Sequence, residues 1–190
     1  PINQTTKGNT IATINFAGIK HRANPGDAAD EINLDGKHIS FRTAAGDQFY
    51  VFFDPGDAGA DDPAPGGTGI EVTAADGDLA EAADIVDQLV AALNANNDWN
   101  KEFLAIDDDT SIKIVSLRMG AVSSIVGLGT VANMTAGDGS TLVSPTLATT
   151  LGEGSHIIKG IGLASVEDAE AGDANESFVV VKNLLENPSQ

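Results

Sequence analysis

Three histidines, His21, His38 and His156, and several runs of aspartate are where metal or acid–base chemistry could reside. Imidazole and carboxylate are the common metal ligands and proton carriers near neutral pH. The histidines are dispersed: His21 is expected in a turn, His38 on the outer face of a hairpin, and His156 far from both in sequence. They read as structural or solvent-facing. Asp54, Asp57, Asp61 and Asp62 share one stretch, Asp76 and Asp78 precede a helical pattern, and Asp107, Asp108 and Asp109 are consecutive, so hard oxygen ligands for calcium are in supply. None of these matches the helix-loop-helix calcium pattern, and aspartate is a common turn residue because its side chain bonds nearby backbone N–H groups. Solvated turns are the expectation, with Asp54, Asp57, Asp61 and Asp62 as the calcium candidates.

Nucleophiles are scarcer still. The chain has no cysteine, which removes disulfides, thiolate metal sites and cysteine catalysis together. Ser155 lies in Gly-Glu-Gly-Ser-His, which is not the Gly-x-Ser-x-Gly of a nucleophile elbow. Gly127 and Gly129 lack the third glycine of a dinucleotide loop, and no Gly-Lys-Ser or Gly-Lys-Thr closes a phosphate loop. A glycosidase groove needs aromatic lining, whereas the single Trp99 falls at a helix end. The expectation is a non-enzymatic protein with no catalytic residue and no cofactor.

The chain has 190 residues, 42% apolar, enough to bury roughly 70% of the unfolded surface in one large domain or a domain with an appended lobe. Its formal net charge of −18 opposes a grip on DNA, RNA or an anionic bilayer. No apolar run approaches the ~20 residues of a membrane-spanning helix, and the first residues lack the pattern of a signal peptide. Pro1 is expected to follow a removed initiator Met, with synthesis in a cytoplasm.

The elements follow from periodicity. Residues 1–9 are polar and read as a flexible arm. Ile11, Ile14 and Phe16 mark a strand over residues 10–16. Ile32 and Leu34, then Ile39 and Phe41, alternate on either side of Asp35-Gly36, a hairpin signature. A second turn at residues 44–47 leads into residues 48–53, apolar on both faces and expected to be central in its sheet or covered by another subunit. Residues 54–69 carry Pro, Gly and Asp without a large apolar side chain and read as an exposed loop, followed by a short strand at Ile70 and Val72.

Leu79, Ala82, Ala83, Val86, Leu89, Val90 and Leu93 share one helical face, with Asp78 as N-cap and Glu81 its partner, predicting a helix over about residues 79–95. Strands at residues 103–106 and 112–117 follow about a tight aspartate turn. Residues 121–154 show little periodicity, and strands are expected at 156–163 and 177–185 around an acidic loop or short helical turn at 165–176. The expected class is α+β, mainly β: an antiparallel sheet or sandwich with one amphipathic helix packed on it and extended terminal arms. The expected organisation is an arm over residues 1–9, a core domain over 10–120, and a β-rich C-terminal extension or second lobe with a frayed end over 121–190.

The Asp35-Gly36 turn, the alanine-rich segment ending in Leu93-Asn94-Ala95, and the following strand pair closing at Gly120 resemble, over about residues 30–120, the β-β-helix-β-β modules of tailed-phage virion proteins. Such modules recur in capsid decoration and tail proteins and in the insertion domains of flagellins and hook-associated proteins. The resemblance implies a self-associating building block of the virion, made in the host cytoplasm, whose partners are further copies of itself and the major capsid or other virion proteins. A capsid decoration or cement subunit is the first expectation, and a tail-tube or other tail subunit its close alternative. A second class is an extracellular calcium- or glycan-binding module of a bacterial surface or flagellar appendage.

Overall fold

In the computed structural model, residues 8–22, 31–56, 62–119, 122, 125–137, 139 and 142–152 are described. The expected features at residues 1–7, at Asp57 and Asp61, and beyond residue 152, including His156, lie outside them. The fold is α+β and mainly β, as the alternation implied.

In chain order the strands are β1 (Asn9–Asn15), β2 (Lys20–His21), β3 (Glu31–Ile32), β4 (His38–Arg42), β5 (Gln48–Pro55) and β6 (Thr68–Ala74). After helix α1 (Ala82–Ala95) come β7 (Phe103–Asp108), β8 (Ser111–Met119), β9 (Val126–Gly127), β10 (Met134–Thr135), β11 (Leu142–Val143) and β12 (Thr146–Thr150). Two four-stranded sheets form, one in the order β12-β1-β8-β7 and one in the order β6-β5-β4-β9. Strands from beyond residue 120 therefore complete both sheets.

The inward faces of the two sheets and the apolar stripe of α1 meet in one core. Ile14, Ile112, Phe103 and Ala105 come from the first sheet, Phe41, Val51, Phe53 and Ile70 from the second, and Ile85, Leu89 and Leu93 from α1. Trp99, fully buried just after α1, has Phe41, Phe49 and Phe103 around its indole at centroid distances of 4.5, 6.0 and 4.6 Å. β5 is central, paired antiparallel with β4 and parallel with β6, and its residues beyond Gln48 are buried on both faces. That matches the two-faced apolar run in the sequence.

Several expectations are corrected. The Asp35-Gly36 turn forms, with Gly36 at φ +66° and the Lys37 N–H donating to the Leu34 carbonyl, but its flanking strands do not pair with each other. β3 instead runs parallel to β2, and Ile32 bridges Ala136. Local competition explains this: Asn33 Oδ1 accepts the Asp35 N–H, His21 Nδ1 accepts the Leu34 N–H, and the Ile32 carbonyl accepts from Arg22. The backbone of the incoming strand is thus paired elsewhere, and both edges of β4 are taken by β5 and β9.

The helix starts later than predicted. Residues 76–79 form a 3-10 turn that still buries Leu79, and α1 opens at Ala82 with Glu81 as N-cap. The Asp84 carboxylate accepts the Glu81 N–H at 3.1 Å, so the reciprocal cap uses the second acidic pair rather than Asp78 and Glu81. Asp54 is not in a loop: it lies in β5 and is 4% exposed. β6 is also longer than the short strand expected.

Candidate functional site

The two described histidines are buried and serve separate corners of the fold: His21 lies in β2 rather than in the expected turn, and His38 lies on the face of β4 opposite the core residues Ile39 and Phe41 but is buried there rather than solvent-facing. His21 is in β2 and 1% exposed, with Nδ1 accepting from the Leu34 N–H at 3.1 Å and Nε2 3.4 Å from Asp76 Oδ1. These contacts suit a neutral ring whose proton is on Nε2. Burial holds its pKa below the ordinary value, against the opposing pull of Asp76. His38 in β4 has Nδ1 3.1 Å from Thr130 Oγ1, and burial lowers its pKa as well.

Of the calcium candidates, Asp54 is buried in β5, and Asp62 accepts hydrogen bonds from the Tyr50 hydroxyl at 2.5 and 2.6 Å. Asp62 also accepts from the Ala64 N–H at 2.8 Å. Its carboxylate thus ties the segment before β6 to the outer face of the second sheet. Among the described residues no three His, Asp or Glu side chains gather as a metal site. No described helix is long and apolar enough to cross a membrane.

What the structure does bring together is a surface. The outward row Leu104, Val115, Ile11 and Thr150 crosses all four strands of the first sheet, and the next row is Ile106, Lys113, Thr13 and Ala148. Leu104, Ile106 and Leu117 are 42%, 41% and 43% exposed, while α1 covers the opposite face. Strand alternation produces this geometry: Phe103 and Ala105 face the core, so Leu104 and Ile106 must face out.

Charge is handled locally around the patch. Lys113 Nζ is 2.6 Å from Asp108 Oδ2, and the Arg118 guanidinium donates to both Glu102 carboxylate oxygens at 3.0 Å. The Arg118 hydrogen bonds hold the Glu102 carboxyl below its ordinary pKa.

Sequence reasoning missed this face, and the one signal available marked only its β12 edge. In a chain that is 20% charged, residues 119–152 contain one ionisable side chain, Asp138. Within that stretch β12 is exposed at every position, so the missing charge is not explained by burial. No family model matches the chain, and no curated protein matches it.

Proposed function

We propose that the chain is a non-enzymatic structural subunit of a tailed-phage virion, a capsid decoration or cement subunit that binds and stabilises the assembled particle. The observation that carries this reading is the exposed apolar face of the first sheet, with Leu104, Ile106 and Leu117 clustered on a protein of net charge −18. Such a face is suited to burial against a partner, and the ion pairs beside it leave little unpaired charge to desolvate. The acidic remainder keeps the free chain soluble until it reaches that partner. The β-β-helix-β-β resemblance supplies the class of assembly.

The test is to purify particles from lysates of the cells that make the chain and follow it through a density gradient. Co-migration with particles is expected, and the double variant Leu104→Asp, Leu117→Asp should remain folded yet leave the particle fraction. Migration with host enzymes and never with particles would overturn the proposal.

A further inference from the structure

The four sheet edges are not equivalent. β9 contributes two residues, and β6 carries Glu71. On the outer edge of β7, the Asn94 side chain donates to the Ala105 carbonyl at 2.8 Å and accepts the Ala105 N–H at 3.1 Å, occupying the edge as another strand would. β12 has none of these protections. Its residues, Thr-Leu-Ala-Thr-Thr, are uncharged and exposed, and among the described residues no strand pairs with its outer edge.

This edge is also anchored. β12 pairs with β1 from Thr146 to Thr150, and immediately after it the Gly152 N–H donates to Thr10 Oγ1 at 2.9 Å. Leu147, paired opposite the core residue Ile14, is still 37% exposed, and Leu151, just beyond the strand, is 54% exposed. An uncharged, fixed edge strand with apolar side chains is a template for strand addition.

We infer that β12 pairs antiparallel with β12 of a second copy, joining two four-stranded first sheets into one continuous sheet about a two-fold axis. Electrostatics selects this occupant. Two copies each carrying −18 repel wherever acidic surfaces meet, and β12 with its flanking segment is the exposed stretch where they can approach with least repulsion. A basic partner would instead be drawn to the acidic remainder of the chain. In the symmetric register Ala148 faces Ala148 of the second copy, Leu147 faces its Thr149, and the apolar outer faces become coextensive.

The pairing concerns the free chain and does not depend on the particle reading. A chain that dimerises but never joins particles keeps the pairing and defeats that reading, while a particle-bound chain that is monomeric in solution does the reverse.

The full chain is examined by sedimentation velocity across a thousand-fold concentration range, with amide exchange measured at both ends. A concentration-dependent dimer is expected, with residues 146–150 protected only at high concentration. Thr149→Asp and Ala148→Asp should each weaken it at least ten-fold while leaving the melting temperature of the monomer unchanged. Because the chain lacks cysteine, Ala148→Cys supplies a unique thiol, which a short bis-maleimide should link into dimers while Asp35→Cys stays monomeric. A monomer at every concentration overturns the inference. So does edge protection independent of concentration, which would assign the edge to residues 153–190 of the same chain, or an oligomer that both aspartate variants leave intact.

Discussion

Trp99 stands edge-on to Phe41, ring centroids 4.5 Å apart and planes at 74°, and through that contact and Phe103 it joins the two sheets into one core. Its indole Nε1–H is buried with no hydrogen-bond partner among the described residues. Truncation and N–H removal therefore pull in opposite directions. Trp99→Ala should lower unfolding free energy by about 3–5 kcal/mol through the cavity it leaves. Trp99→Phe retains much of the ring contact and removes a donor whose unsatisfied burial costs about 1–3 kcal/mol, so its loss should be less than half as large. Denaturant unfolding followed by far-ultraviolet circular dichroism measures both, and equal losses would contradict the unsatisfied donor.

Tyr50 is the chain's single tyrosine, so its ionisation can be followed directly by absorbance. Burial first, and then the hydrogen bond to the Asp62 carboxylate, push its pKa up to about 12. A raised folded-state value means that this contribution to stability is complete below the unfolded value of about 10 and is lost as pH rises through 12. The absorbance midpoint should fall near 12, and Tyr50→Phe should remove the corresponding loss of stability above pH 10. At neutral pH Tyr50→Phe should cost about 1 kcal/mol, since the hydroxyl is buried but Asp62 is exposed. A midpoint at the ordinary phenol value would show that neither the burial of the hydroxyl nor the Asp62 tether holds in solution.

How far the fold was legible depended on whether a local signal had a competitor. The run Phe49 to Phe53 had none: apolar residues on both faces fit a central strand, and β5 is central. Asp107 to Thr110 likewise sits between two alternating strands and forms the β7–β8 turn, with Asp109 at φ +61°. Asp35-Gly36 announced its turn correctly but could not reveal that Asn33, His21 and Arg22 would take up the neighbouring backbone. The helix start offered two acidic pairs at the same spacing, and periodicity could not rank them. The outward face of the first sheet was legible only once the partners of β1, β7 and β8 were known. Leu104 and Ile106 alternate like any strand, and which side is covered depends on α1 and not on the strand itself.

His21 and His38 give the fold an acid-side dependence of definite sign. Burial lowers both pKa values, so as pH falls below about 6.5 the unfolded chain binds protons before the folded one. Their contribution to stability is complete above 6.5 and declines as pH drops through the folded values. His21→Asn can retain an acceptor for the Leu34 N–H while removing the titration. Its unfolding free energy should therefore change less between pH 7 and pH 5.5 than that of the parent. An identical slope in parent and variant would remove His21 from the account.

Asn94 closes the edge of β7 from the last turn of α1, and that small contact distinguishes the protected edge from the open one. Two hydrogen bonds to Ala105 at about 1 kcal/mol each imply that Asn94→Ala lowers stability by about 2 kcal/mol. The Ala105 amide should exchange faster in the variant relative to neighbouring β7 amides, because its acceptor is gone while the β7–β8 ladder remains. Asn94→Asp sharpens the test: its carboxylate can still accept the Ala105 N–H but faces the Ala105 carbonyl without a donor, so stability should fall while Ala105 stays protected. Association should also change in kind. With Asn94 removed, each copy offers an open strand edge on both sides of the first sheet, and pairing β7 with β12 would be heterologous, without the closure that a two-fold dimer provides. Asn94→Ala should therefore form open-ended assemblies at concentrations where the parent stops at a discrete species. Light scattering separates the two, and a variant that stops where the parent stops would mean that another group still blocks the β7 edge.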